Sequence, residues 1–193
     1  MIAVSDTGED AILQRFPAPP GSVVHALNQL AIVRRGDPEE IAAAGDLFDL
    51  PRPWDPATCP SRLREAVWQW CDAVADWINH DYSWRPAQMI PACWPRHSHI
   101  ARELPILACQ RWAAEQALGY ELIDDWHRYT LPLFLERMIA RLGESTCRTG
   151  KHADWPAESR HATYSGRAAV EDRQTVIHLD AHPVTELRAA ARR

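Results

Sequence analysis

One helical stripe constrains the fold of this chain more than any other feature. Between Ser61 and Tyr82 the large apolar residues recur at alternating spacings of three and four, which is the period of an α-helix with one buried face. A helix with such a face is stable mainly through packing against partners, so the stripe predicts a bundle. The residues of the stripe are Leu63, Val67, Trp70, Val74, Trp77 and Ile78.

Two further apolar stripes predict the partner helices. One covers about 99–118 and ends at Gly119, and the other covers 121–142 and ends at Gly143, a residue type that favours a helix C-terminus. We therefore predict an all-α fold, a small bundle of about three to four helices. Its core helices lie near 61–80, 99–118 and 121–142.

Two prolines interrupt the second and third patterns. Pro105 and Pro132 each remove a backbone donor and clash with the preceding turn. Both helices are therefore expected to be kinked or to begin late.

The regions outside the stripes divide the rest of the chain. Residues 1–36 are acidic and then Pro-rich without a sustained period, so they are predicted to form a flexible arm. Over 37–59 a short helix is expected to lead into a Pro-rich linker. The core domain is predicted at 60–155, and 156–193 is predicted to be a mostly irregular tail because the apolar pattern dissolves there.

Charge and apolar content exclude several classes of protein. The formal net charge is -5, so the chain lacks the positive excess that supplies most non-specific DNA affinity, and direct binding to duplex DNA is not expected. No apolar run approaches the ~20 residues that span a bilayer, and no charged-then-apolar leader is present. We expect a cytoplasmic protein without membrane contact. Its five cysteines follow no disulfide framework, so they are expected to be reduced thiols or metal ligands.

Two short cysteine–histidine pairs are the strongest candidate site. Cys93 and His97 lie in "CWPRH", and Cys147 and His152 lie in "CRTGKH". Zinc is bound by sulfur and nitrogen ligands arranged as a tetrahedron, and short spacings let two side chains converge on one ion. The two pairs flank the predicted helical hairpin, whose antiparallel helices return the chain to its starting end. The sequence thus predicts a possible zinc site, with His99 and His127 as spare ligands.

Packing alone is the alternative explanation of the same residues. In that interpretation Cys93 and Trp94 close the open end of the hairpin, and His97 is hydrogen-bonded to a backbone carbonyl. If all four residues bind zinc, the site is closed and structural, with no position for a catalytic water. No catalytic residues are predicted, because no nucleophile motif and no Gly-rich phosphate loop is present.

The order of the motifs "CWPRH", "ELPILACQRW" and "DDWHRYTLPLFLERM" resembles an uncharacterised actinobacterial family, a domain of unknown function found on conjugative elements, plasmids and phages. The resemblance covers about 60–155, and Pro105 and Pro132 depart from its helices. It implies that the protein is encoded on mobile genetic elements, and it implies no mechanism. It rests on Cys93, Trp94, His97, Glu103, Leu104, Trp126, His127 and Cys147.

Two functions of different classes follow from these observations. The favoured one is a non-enzymatic accessory module of an actinobacterial mobile element, which contacts a protein partner of the transfer, replication or packaging machinery. The alternative is a metal-dependent enzyme acting on nucleic acid, with Cys93, His97 and His127 as an incomplete ligand set. Four protein ligands argue for a structural ion, and three with a carboxylate in a cleft, such as Glu103, argue for catalysis. The tryptophans outside the stripes are candidates for a protein interface: Trp68, Trp84 and Trp155.

Overall fold

The computed structural model describes residues 13–36, 38–143, 147, 152 and 154–181. Over these residues every regular element is helical and no β-strand occurs, which confirms the all-α class. The chain divides into two compact units, residues 1–152 and 153–193. Within the described part of the chain, none of the helices combines the length and the apolar character that a membrane crossing requires.

The first unit contains more helices than the sequence predicted. Its elements are α1 (Gly21–Arg35), α2 (Pro38–Ala44), α3 (Ser61–Asp81), α4 (Ser98–Glu115), α5 (Glu121–Asp125) and α6 (Leu131–Leu142). The predicted core helices correspond to α3, α4 and the continuous α5–α6 segment. The prediction of about three to four helices is too low, because it left out α1, in the predicted flexible arm, and the helices of the second unit, in the predicted irregular tail.

The core forms where the three predicted stripes meet. Val74 and Ile78 of α3, Leu104 of α4 and Met138 of α6 are each at most 1% exposed. Trp126 is also buried, and its indole Nε1–H donates to the backbone carbonyl of Leu107 at 3.2 Å. Because a buried donor without a partner is costly, this bond lets a large aromatic ring fill the core between α4 and α6.

A π turn accommodates Pro132. It spans Trp126–Thr130 and joins α5 to α6, and the backbone N–H of Leu131 donates to the carbonyl of Trp126, five residues earlier. This wider turn ends two residues before Pro132, the residue that lacks a donor, as is typical of helices that absorb a proline. By contrast, α4 begins at Ser98 and continues through Pro105, so of the two expected effects of this proline a late start does not occur, and a kink stays a prediction.

The prediction of a flexible arm over 1–36 is wrong for much of its length. Phe16 is 6% exposed and packs edge-on against Trp70 and Trp77, with ring centroids 6.2 and 5.1 Å apart. The indole of Trp70 donates to the carbonyl of Pro17 at 2.8 Å. Residues 21–35 then form α1, which ends at Gly36 in the left-handed region. Residues 1–12 lie outside the described part of the chain.

The physical reason for this error lies in α3. Its buried stripe carries indole N–H groups that need acceptors, and the Pro-rich segment before α1 has backbone carbonyls that no helix uses. Trp77 donates to the carbonyl of Gln14 at 3.1 Å in the same way as Trp70 donates to Pro17. Composition alone does not report such a long-range pairing.

The Pro-rich segment after α2 is fastened by arginine side chains. Arg64 of α3 donates to the carbonyls of Pro56 and Cys59, both at 2.9 Å, and Arg52 donates to the carbonyls of Phe48 and Leu50, both at 3.1 Å. These bonds fasten backbone carbonyls of the segment that joins α2 to α3.

The prediction of a mostly irregular tail over 156–193 is wrong for the second unit between 158 and 181, where the chain is helical. This unit contains α7 (Glu158–Ser165) and α8 (Arg167–Ala181), and local contacts stabilise both. Arg173 lies 3.8 Å from the centroid of the Tyr164 ring, and Arg167 pairs with Glu171 one turn along α8. These helices carry no continuous buried stripe, so apolar periodicity did not reveal them. The part of the tail at 182–193 lies outside the described residues.

Candidate metal centre

A tight turn brings the first cysteine–histidine pair together. Between Cys93 and His97 the residues Trp94–Arg96 form one turn of 3-10 helix, and the backbone N–H of His97 donates to the carbonyl of Trp94 at 3.0 Å. As a result Cys93 Sγ lies 3.3 Å from His97 Nε2. His97 also directly precedes the first residue of α4, so the pair sits at the start of a core helix.

Two polar side chains of α3 hold the loop that carries this pair. Asn79 donates to the carbonyl of Ile90 at 2.9 Å and accepts from the N–H of Ile90 at 2.7 Å. Asp72 accepts from the indole Nε1–H of buried Trp94 at 3.1 Å. The loop is therefore fixed on both sides of Cys93. The sequence analysis missed Asp72 and Asn79. The signal that could have indicated them is that both are polar residues beside the buried stripe of α3.

The second pair lies beyond the end of α6. Cys147 is 2% exposed, whereas His152 is exposed. Cys147 Sγ lies 3.8 Å from His152 Nδ1, and the rings of His152 and His97 meet with centroids 5.1 Å apart. The second pair thus contacts the first directly.

All four potential ligand atoms lie within 4.8 Å of one another. In a tetrahedral zinc site, bonds of ~2.0–2.1 Å to nitrogen and ~2.3 Å to sulfur give ligand–ligand distances of about 3.3 to 3.8 Å. The distances within each pair, 3.3 and 3.8 Å, already match this range. Cys93, His97, Cys147 and His152, the four residues that the sequence selected, therefore form a cluster that could hold a metal ion.

Glu103 ties together the two helices that lead to the cluster. Its carboxylate on α4 accepts from Arg137 Nε at 2.8 Å and also pairs with Arg141, both on α6. The first residue of α4 follows His97, and α6 ends shortly before Cys147. This bridge between the helices therefore lies close in sequence to both ligand pairs.

The two spare candidates lie outside the cluster. His99 contacts the His97 ring at 5.8 Å between centroids, and its Nε2 is buried without a hydrogen-bond partner among the described residues. Burial, and then nearby Arg141, lowers the pKa of His99. His127 instead stacks on Tyr82, with 3.0 Å between its Nε2 and the tyrosine hydroxyl. Neither histidine joins the four residues that converge.

Burial shapes the protonation of the cluster when no cation is present. Burial raises the pKa of the Cys93 thiol, and the neighbouring Cys147 raises it further. Burial also lowers the pKa of His97, with His152 as the second cause. The thiol is thus held neutral, and the imidazole is held in the neutral form that a metal requires.

The remaining cysteines differ from the cluster in both position and chemistry. Cys59, Cys71 and Cys109 are buried and free. Burial raises the pKa of Cys109 to about 12 and raises that of Cys71 still more strongly. They behave as small apolar side chains of the core and serve as controls for the cluster.

Comparison with protein-family models, with curated proteins and with solved structures finds no match. The family resemblance therefore stays a prediction. The case for the site depends on its own geometry and donor chemistry.

Proposed function

We propose that Cys93, His97, Cys147 and His152 bind one zinc ion, and that the ion is a structural cross-link of a non-enzymatic helical module. The observation that carries this proposal is the convergence of four ligand atoms within 4.8 Å. In the sequence the two pairs are separated by the whole of α4, α5 and α6. A shared ion therefore closes a long loop of the chain, which limits the freedom of the unfolded state.

The donor set favours zinc over harder cations. Two thiolates and two imidazoles suit Zn²⁺, whereas Mg²⁺ and Ca²⁺ prefer oxygen ligands. Two thiolates also balance the charge of the ion, so the complete site is neutral. A neutral site suits the partly buried position of Cys93 and the buried position of Cys147.

Ligand number supports a structural role over catalysis. Four protein ligands fill a tetrahedral zinc site and leave no position for an activated water. A catalytic alternative needs an available carboxylate near the ion, and Glu103, the candidate from the sequence, is paired with Arg137 and Arg141. His127, the third ligand of that alternative, is hydrogen-bonded to Tyr82. These contacts favour the non-enzymatic module over a metal-dependent enzyme acting on nucleic acid.

The module is proposed to act by contacting a protein partner. Large apolar side chains remain exposed on it, including Trp84, which is 94% exposed. Such side chains are typical of surfaces that partners cover. The family resemblance implies that the partner belongs to the transfer, replication or packaging machinery of an actinobacterial mobile element, and we retain that role as part of the proposal.

Zinc titration of matched cysteine variants tests the proposal. The protein is purified under reducing conditions, stripped with a chelator and titrated with Zn²⁺ in competition with a chromogenic chelator. One equivalent is expected for the wild type and for Cys109→Ala, whose thiol lies outside the cluster. Cys93→Ala and Cys147→Ala should each weaken binding by at least ~10-fold. Equal binding by all four proteins would refute the assignment of the ligands.

A further inference from the structure

A long groove follows the exposed side of α4. Its first part, of about 920 Å³, lies between α1 and α4. Its second part, of about 640 Å³, lies between α4 and the Pro-rich segment after α2. Trp54 and Ile106 line both parts, so the two parts adjoin along α4 and are together called the α4 groove.

The middle of this α4 groove is apolar and accessible. Trp54 is 37% exposed and Ile106 is 42% exposed. Leu27 and Leu30 of α1 add aliphatic surface to the first part. An apolar patch bounded by polar residues is typical of a site that a partner covers, and a tryptophan at the centre is a common anchor of binding energy.

Arginine side chains surround this apolar strip. The first part is lined by Arg34 and Arg35 and the second by three more arginines, and Asp55 is the one acid among the lining residues. The lining therefore carries an excess of four positive charges, although the whole chain has a net charge of -5. Two of these side chains donate to neutral backbone carbonyls, which leaves their charge in place. The arginines of the second part are Arg52, Arg64 and Arg102.

We propose that the α4 groove binds an amphipathic helix of a protein partner, with acidic residues on its polar face. Apolar side chains at helical spacing would cover Trp54 and Ile106, and carboxylates beside them would meet the arginines. Along α4 the lining residues run from Ser98 to Ala113, which gives a groove wall of about 22 Å, enough for roughly four turns of a bound helix. The inference rests on the proposed function, which takes protein contact as the mode of action, and it names the partner's chemistry.

Single-stranded nucleic acid is the competing occupant, because it also combines negative charge with flat apolar surfaces. Its binding sites rely on exposed aromatic faces on which successive bases stack. Three tryptophans line the groove, but Trp68 and Trp112 are half-buried and Trp54 alone of them is exposed, so the lining offers one stacking face and not a row of them. The α1 wall is aliphatic, formed by Leu27, Leu30 and Ala31. Aliphatic side chains interlock with the apolar face of a helix but do not form stacking platforms, so the groove fits a peptide better.

Fluorescence anisotropy with three probes tests this proposal on the full, zinc-loaded chain. The first probe is a labelled peptide of about 15 residues with Leu at i, i+3, i+4 and i+7 and Glu elsewhere. The second replaces every Glu by Lys, and the third is a labelled oligo(dT) strand. The Glu peptide should bind at least ~10-fold more tightly than either other probe. Added salt should lower its affinity, because salt screens the attraction between the carboxylates and the arginines. Tighter binding of oligo(dT), or equal binding of both peptides, would overturn the proposal.

Matched variants locate the binding. Ile106→Arg and the double change R34E/R35E should each lower the affinity for the Glu peptide at least ~10-fold. The controls are Leu133→Arg, at an apolar residue that is 48% exposed on α6, and Arg128→Glu in the π turn, at an exposed arginine that does not line the groove. Both should leave the affinity within about twofold. Equal losses of affinity in the variants and in the controls would overturn the assignment of the peptide site to the groove. A wild-type dimer that Ile106→Arg converts to a monomer would also overturn the proposal, because a second copy of the chain would then occupy the groove.

Zinc content separates the two proposals. It is measured on each sample used for anisotropy, together with the helical circular dichroism signal, which shows that a variant is folded. Peptide binding by a protein without stoichiometric zinc would contradict the structural ion and leave the groove in place. Stoichiometric zinc without selective peptide binding would contradict the groove proposal and leave the structural ion in place.

Discussion

Cys93 Sγ lies 3.3 Å from His97 Nε2 across the single 3-10 turn that precedes α4. This one contact joins the loop after α3 to the first turn of a core helix. Cys147 and His152, which follow α6, complete the set where the hairpin returns to its starting end. The candidate metal centre therefore connects the segments that border three core helices, and its predicted effects concern the stability of that end.

Removal of zinc should loosen the ligand loops and leave the helical core folded. Binding at a concentration 1,000-fold above the dissociation constant stabilises by about 4 kcal/mol, and for a chain of this size each kcal/mol shifts Tm by about 2–4 °C. We expect chelation to lower Tm by about 10 °C. Hydrogen exchange should quicken at 90–97 while the centre of α3 stays protected. An unchanged Tm, or uniform exchange throughout the first unit, would contradict this prediction.

Asp72→Ala should weaken the centre without touching a ligand. The change removes the acceptor of the Trp94 indole, which holds the turn between Cys93 and His97. Supporting residues around metal ligands typically alter affinity 10- to 100-fold, so we expect about a 10-fold loss in the chelator competition. Asp72→Asn is the matched control, since its side-chain oxygen can still accept the bond. Equal affinity of the two variants would show that the bond does not position the turn.

Phe16→Ala should destabilise the first unit by about 3 kcal/mol in urea unfolding, because it removes a buried ring that packs on Trp70 and Trp77. Leu13→Ala is the control, because Leu13 is 77% exposed and should change the free energy of unfolding by less than about 0.5 kcal/mol. If both variants were equally stable, the packing of the segment before α1 would contribute nothing to stability, in line with the predicted flexible arm.

Glu103→Gln should loosen the contact between α4 and α6. Its carboxylate pairs with Arg137 and Arg141, but all three side chains are partly exposed, so solvent screening limits the expected loss to about 1 kcal/mol. The control, Asp124→Asn, breaks the more exposed pair with Arg128 and should cost about 0.3–0.5 kcal/mol. The difference between the two variants should shrink in high salt. A larger effect of Asp124→Asn would contradict this ranking.

The sequence predicted the parts of the structure that depend on local periodicity. The stripes of α3, α4 and α6 follow from apolar spacing, and the cluster follows from two short pairs at the ends of a hairpin. The contacts of Phe16 and Gln14 with α3 join residues more than fifty positions apart, so no local pattern reports them. The π turn was missed for a different reason: a proline indicates a disturbance of the helix but does not specify its form.

X-ray absorption at the zinc edge of the purified, reduced protein tests the central claim most directly. We predict one zinc per chain, with two sulfur neighbours at ~2.3 Å and two nitrogen neighbours at ~2.0–2.1 Å. The Cys147→Ala variant should lose one of the sulfur neighbours or the ion itself. A protein purified without stoichiometric zinc that also fails to bind added Zn²⁺, or a shell of oxygen and nitrogen neighbours without sulfur, would contradict the proposed centre.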